Sequence, residues 1–464
     1  MRVRFQADAD LDKRNLRGLQ RASNEVDFRA ATDSGLEGLQ DPKSAADCRT
    51  GDTWVASKAE EWIDRLVWIR AVAAPDHFPF DNGAMPFLPD GSYSFSDYEL
   101  QDSQTLSTPS LLIYADMLEA NITAALQMMH GDANRWRPHL KTAKIGYTIR
   151  RLVARGITAA KCATTLELVV AIASGIEDVV VAFPLMGANA ARVREIAGAH
   201  PERRIATLIE SIDQIDEWRR SAVGVFVDLN PGMDRTGMAE DHFDDVLDLI
   251  NQIQKAGLRF CGLHYYDGQI KDNGPSAAAQ AREGYSRLLE LIAYLKRAGI
   301  EVQEVITSGT PAMPHALNFA PFTEGEFVHR VSPGTIVYND RSSLKQLPGY
   351  GFLPAALVLT TVVSRPRENR VTCDAGHKAV SADAGVPTCD VMGRPELKGL
   401  RPNEEHLPIE VLSGETPSRG DLLYLLPAHV CPTVNNFDKA VLVRGGKVEE
   451  LIPVSARGRE AFVT

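Results

Sequence analysis

From Thr108 to about residue 345, short apolar runs alternate with helical runs that close on glycine, and few folds accept that alternation. SLLIYA precedes DMLEANITAALQMMHG, where Asp116 suits a helix cap, and RPHLK precedes IGYTIRRLVARG. TAAKCATT precedes LELVVAIASG, DVVVAF precedes NAARVREIAG, and GVFVDL precedes FDDVLDLINQIQKAG. RFCGLHYY leads into a long helix that ends LLELIAYLKRAG. Apolar strands joined through helices imply a parallel sheet covered by helices. So many units in series predict an α/β fold, a (β/α)8 barrel rather than an open sheet, with the residues just after each strand facing the active site.

Beyond residue 345 the long helices stop. AALVLTTVVSRP, RVTCDAG, PIEVLSG, DLLYLLP and KAVLVRGGKVEELIPV are β-rich runs punctuated by Pro, Gly and Asp, as expected of a mainly antiparallel β domain. Residues 1–52 are polar with few β-branched or aromatic residues. A helix is expected next, because Trp62, Leu66, Ile69 and Val72 recur at helical spacing. A connector dense in proline, glycine and aromatics follows, from residue 75 to 98. The expected organisation is an N-terminal extension, partly disordered or helical, over 1–104, the barrel over 105–345, and the β domain over 346–464.

A formal charge of -11 argues against a nucleic-acid partner and favours small molecules. The six cysteines fall at long, irregular spacings without a C-x-x-C pair, so a reducing compartment is expected. The first residues lack the apolar core of a signal peptide, and no run reaches the roughly 20 apolar residues of a membrane helix. A cytoplasmic protein without a membrane partner is the expectation.

Several strand ends carry reactive side chains. Lys141 closes RPHLK at the expected mouth, where an apolar pocket would favour a neutral amine able to form a Schiff base. Lys144 follows three residues later. Arg235 lies in the glycine-bracketed turn of FVDLNPGMDRTG, a setting suited to an anionic or phenolic oxygen. ITSGTP and PGTIVY each place a Gly-Thr turn after an apolar run, and late barrel strands often hold a phosphate at such turns. In LLPAHVCPTVN, His429 and Cys431 alternate with Val430, so an extended chain would put imidazole and thiol on one face. That pair suits a divalent metal, zinc before manganese or magnesium, with His406 or His377 as a third ligand.

Taken in order, RPHLKTAK, ATTLELVVAIASGI, VDLNPGMDRTG, TSGTP, SPGTIVYND, DAGHKAVSAD and PAHVCPTVN resemble the D-serine dehydratase and D-threonine aldolase family. These are alanine-racemase-like enzymes of fold type III that use pyridoxal 5'-phosphate. The resemblance implies that Lys141 bonds the cofactor and that His264 lies beside its pyridine ring, with Arg235 near a cofactor oxygen. It implies that Ser308, Gly309, Thr310, Gly334 and Thr335 cradle the phosphate, and that His429 and Cys431 bind the metal next to the substrate hydroxyl. The chain departs from the family pattern at Ala143, Ile336 and Gln269, where the family often has histidine, tyrosine and histidine. The implied activity is that of a lyase on a D-3-hydroxy amino acid. The first expectation is loss of water from D-serine or 3-hydroxyaspartate to give a 2-oxo acid and ammonia, since H-x-C looks like the dehydratase branch. Retro-aldol cleavage to glycine and an aldehyde is the alternative, and a non-catalytic cofactor-binding protein a further one. The family also implies a homodimer.

Overall fold

The computed structural model describes residues 93–462 and, before them, three strands, Arg4–Ala7, Asp27–Ala30 and Thr53–Ala56, which form a parallel sheet with Arg4–Ala7 in the centre. The helix expected over Trp62–Val72 and most of the connector after it lie outside the described residues.

Seven parallel strands follow the predicted alternation. They are β2 (Ala159–Cys162), β3 (Asp178–Val181), β4 (Arg204–Ile209), β5 (Gly224–Asn230), β6 (Phe260–Tyr265), β7 (Glu304–Thr307) and β8 (Val328–Val331), paired in that order. Nearly every residue in them is buried, as a sheet covered on both faces requires. The stretch Trp136–Leu140 lies between the two edges. Trp136 bridges Val331 on one side and His139 bridges Lys161 on the other, both in parallel. Arg137 N donates to Val331 O (2.9 Å), Lys161 N to Pro138 O (2.9 Å) and Leu140 N to Lys161 O (2.7 Å). This short stave closes the curled sheet into a barrel, whose interior packs Val180, Ala206, Leu208, Phe226 and Ile306.

Below that apolar layer the barrel holds charge. Arg137 is fully buried, and its Nε and Nη2 donate to Glu304 Oε1 (2.9 Å) and Oε2 (3.1 Å). Nη1 and Nη2 also donate to Asp178 Oδ1 (3.0 Å) and Oδ2 (2.7 Å). Asp178 and Glu304 begin β3 and β7, so one guanidinium pins the stave to strands on both sides. Burial would raise the Asp178 carboxyl, but the charge and hydrogen bonds of Arg137, with Arg204 and Arg330, hold it below the usual carboxylate range.

The β domain differs from the expected picture in one strand. β1 (Ser110–Tyr114), which begins the predicted alternation, lies between β9 (Ala356–Arg367) and β15 (Lys439–Arg444) of the second sheet. Its pairing with β15 is parallel, whereas the remaining pairs of that sheet are antiparallel. Leu111–Tyr114 are buried, so their hydrophobicity suits the middle of either sheet. The other strands are β10 (Arg370–Cys373), β11 (Cys389–Val391), β12 (Leu397–Gly399), β13 (Leu407–Val411), β14 (Leu422–Pro427) and β16 (Lys447–Pro453). Among the described residues no helix is long and apolar enough to cross a membrane.

Removing the Arg137 charge takes from Asp178 and Glu304 their fully buried partner and leaves them Arg204 and Arg330. Arg137→Met should lower unfolding stability by about 3–5 kcal/mol in a urea melt at neutral pH. Because the Asp178 carboxyl is depressed in the fold, this contribution is full above the ordinary carboxylate range and lost as pH falls through the lowered one. The deficit of the variant should therefore shrink in acid, and an unchanged deficit would count against the pairing.

Candidate functional site

The stave that Arg137 anchors ends at the opposite mouth with Lys141, whose side chain is exposed there. The expectation of an apolar pocket around this lysine is not what the structure shows. Its backbone N–H donates to His139 Nδ1 at 3.3 Å, and burial together with the charges of Lys141 and Lys161 holds the His139 ring well below the ordinary histidine value. The neighbouring Thr142 Oγ1 lies 2.9 Å from Cys431 Sγ. Lys144 has another task. It takes a left-handed turn (φ 49°), and its Nζ donates to Glu167 Oε1 (2.7 Å) and Ala456 O (3.2 Å).

The buried lysine with a depressed amine is Lys161, on the adjacent strand. It is 2% exposed, and burial followed by the charge of Lys141 lowers it to about 7, against the opposing pull of Asp228 and Asp267. Its Nζ lies 3.0 Å from His264 Nε2, while His264 Nδ1 lies 2.6 Å from Asp228 Oδ1. β5 and β6 pair in register at His264 and Asp228, which explains the second contact. Burial and Lys161 lower the His264 ring; the Asp228 carboxyl, which burial alone would raise, is lowered by His264. Arg235 is exposed, with its guanidinium carbon 4.9 Å from the centre of the Tyr266 ring.

Because β7 and β8 are adjacent, the turns Ser308–Thr310 and Gly334–Thr335 lie side by side, with Ser332 N donating to Thr307 O (3.0 Å) and Ser308 O (3.2 Å). Ser308 adopts φ 65°, unusual for a residue with a side chain. A Cβ on Gly334 would sit 2.3 Å from His139 O, so glycine is what lets this turn press against the stave. Around the mouth, the buried Asp267 Oδ1 and Ser332 Oγ have no hydrogen-bond partner. Burial raises the Asp267 carboxyl to about 6. An exposed amine, two paired turns and orphaned polar atoms fit a polar ligand such as pyridoxal phosphate.

His429 and Cys431 come together for a reason other than the expected one. The segment is not extended: His429 is the N-cap of a one-turn helix, Val430–Val434. A hydrogen bond donated to Cys431 raises His429 to about 9, aided by Asp383, whose Oδ2 lies 2.6 Å from His429 Nδ1. Burial would raise the Cys431 thiol, but His429, Thr142 and Lys141 bring it below the ordinary value. Thiolate beside imidazole fits zinc. His377 and His406 are exposed, and among the described residues no group of three or more His, Cys, Asp and Glu is placed to hold a metal. Lys161, Asp228, Tyr266, Asp267, Ser332 and Asp383 escaped the sequence reading. The available signal was a charged residue inside an otherwise apolar run, in AAKC and FVDL.

Comparison with known proteins bears on the family and the fold. Residues 113–342 match the family model described as "Alanine racemase, N-terminal domain", and residues 355–443 match "Putative serine dehydratase domain". The chain is 28% identical over 371 residues to a D-threonine aldolase of an Arthrobacter species, covering 76% of this chain and 93% of that protein. It is 23% identical over 360 residues to the D-threo-3-hydroxyaspartate dehydratase of Delftia sp. strain HT23, covering 72% and 93%. Among solved structures, the D-threonine aldolase of Filomicrobium marinum superposes with a TM-score of 0.70 at 27% identity, covering 76% of this chain and 96% of that one.

Two measurements test the site. Adding pyridoxal phosphate should produce the near-visible absorbance of a lysine-bound cofactor, and Lys141→Ala should abolish it; survival of the band would transfer the role to Lys161. Cys431→Ala should abolish tight zinc binding in a chelator competition. Asp383→Asn, which removes only the partner of the imidazole, should weaken it roughly 10–100-fold. Unaltered zinc affinity in both variants would remove the metal from His429 and Cys431.

Proposed function

We propose that this chain, which belongs to the alanine-racemase-like family of pyridoxal-phosphate enzymes and carries a serine dehydratase-type C-terminal domain, is a lyase acting on D-3-hydroxy amino acids. The observation that carries the reading is the contact between Thr142 and Cys431. It brings the residue after Lys141 against Cys431 although 289 residues separate the two touching side chains, which supports a site shared by the Lys141 amine and the His429–Cys431 pair. An α-amino and a β-hydroxyl group on adjacent carbons are the substrate features that two such neighbouring reagents address.

Bound here, pyridoxal phosphate would supply an electron sink for the α-carbon, and a divalent metal would supply Lewis acidity for the β-oxygen. Lys141 Nζ is the group that would bond the cofactor carbonyl carbon and, when free, hold and move the substrate α-proton. The turns Ser308–Thr310 and Gly334–Thr335 would hold the phosphate. His264, braced by Asp228, would lie beside the ring, and Arg235 on Tyr266 would face a cofactor oxygen. His429 and Cys431 would hold the metal, zinc before manganese or magnesium, while Asp383 orients the imidazole through Nδ1.

The first reading of the reaction is β-elimination, giving a 2-oxo acid and ammonia, and the His-x-Cys pair supports it. Retro-aldol cleavage, giving glycine and an aldehyde, is the second, supported by likeness to D-threonine aldolase across 93% of that protein. Both require the same amine and the same metal pair, so the products decide. Purified protein with pyridoxal phosphate and zinc should release ammonia without glycine from at least one of D-serine, D-threonine or the D-3-hydroxyaspartates. Glycine with an aldehyde would establish the second reading, and neither product from the whole panel would overturn both. A homodimer, the assembly that the family resemblance implies, should appear as a single species of twice the chain mass in sedimentation.

A further inference from the structure

A buried lysine joined to a buried histidine is hard to explain as packing, and the first reading leaves Lys161 without a task. We propose that Lys161 is a positioning residue that holds His264 as the neutral imidazole protonated at Nδ1 alone. The geometry fixes each nitrogen in turn. Nδ1 lies 2.6 Å from a carboxylate oxygen of Asp228, an acceptor, so Nδ1 carries the hydrogen. Nε2 lies 3.0 Å from Lys161 Nζ, and the protonated form of that amine only donates, so against the ammonium Nε2 presents its lone pair.

The neighbouring charges show why the lysine is needed. A carboxylate this close to Nδ1 draws a second proton onto a buried ring, turning the pair into imidazolium and carboxylate. Burial opposes that proton first; Lys161 adds to the opposition by occupying Nε2 and by its own charge, and Arg235 adds further. Lys161 in turn balances Lys141 and Arg137 against Asp228 and Asp267. With Lys161 gone, the balance at His264 tips towards Asp228.

The consequence for catalysis rests on the pyridoxal-phosphate reading, in which His264 lies beside the cofactor ring. A neutral imidazole there leaves that ring without a second cation against it, whereas an imidazolium would compete for the electrons the cofactor must accept. The protonation state itself does not depend on the reading.

The test is nitrogen NMR of the full-length protein with 15N-histidine at pH 6, below the value of about 7 to which the Lys161 amine is lowered, with and without pyridoxal phosphate, assigning His264 by His264→Asn. The expected spectrum shows one protonated nitrogen, Nδ1, and one bare nitrogen, Nε2. Lys161→Met should lose the bare-nitrogen signal as the ring becomes doubly protonated, and Lys161→Arg, which keeps a cationic donor, should restore it. A doubly protonated His264 in the unaltered protein would overturn the proposal, as would a His264 unchanged by Lys161→Met in a variant whose thermal melt shows it folded. Should that variant fail to fold, the spectra of the unaltered protein and of Lys161→Arg decide alone: two bare-Nε2 spectra support the proposal, and anything else sinks it. Absence of a lysine-bound cofactor band would sink the cofactor reading while leaving the result for His264 intact.

Discussion

One guanidinium without exposed surface sets the height of everything above it. Arg137 donates to the side chains of Asp178 and Glu304, which begin strands on either side of the closing stave, and to the backbone carbonyls of Ala160 and Asp178. A buried charge persists only when paired and hydrogen-bonded, so this contact admits one register of the stave. Lys141 stands four residues further along, in the turn over residues 140–143 that follows the stave. Within RPHLK the arginine anchors the stave, and the lysine proposed to react follows in the turn beyond it.

The alternation of strands and helices was legible because burying both faces of a sheet writes apolar runs into the chain. Which sheet a run joins is not written the same way. Leu111–Tyr114 are buried between two strands of the β domain, and nothing in SLLIYA distinguishes that from a place in the barrel. Pairing is decided by partners far along the chain, and apolar side chains carry little address. The turns at Ser308 and Gly334 were legible from their glycines: the stave excludes a Cβ at Gly334, and a Cβ at Gly309 would press tightly on the Tyr266 ring.

His429 and Cys431 do not lie on an extended chain, as period two had them. Period-two alternation would place the two side chains on one face, but the chain turns helical at Val430, with Pro432 tolerated in a first turn whose N–H groups need no helical partner. What brings imidazole and thiol together is the start of that turn, and what holds the thiol is Thr142 from the barrel. A metal pair carried on one domain and braced by the other would depend on both folding, which explains why spacing within PAHVC was insufficient evidence by itself.

The two lysines show why a depressed amine is an incomplete sign of a reagent. Burial and nearby cations give Lys161 the shift usually sought, yet its nitrogen is committed to His264 and its side chain is almost fully enclosed. An amine that must exchange partners with an arriving substrate has to be reachable from solvent. Lys141 meets that condition at the mouth, beside the thiol. The same charge serves both ends of the argument: Lys141 helps to lower Lys161, and Lys161 helps to lower His264. On the proposed function, accessibility marks the lysine that would react, and enclosure the one that would support it.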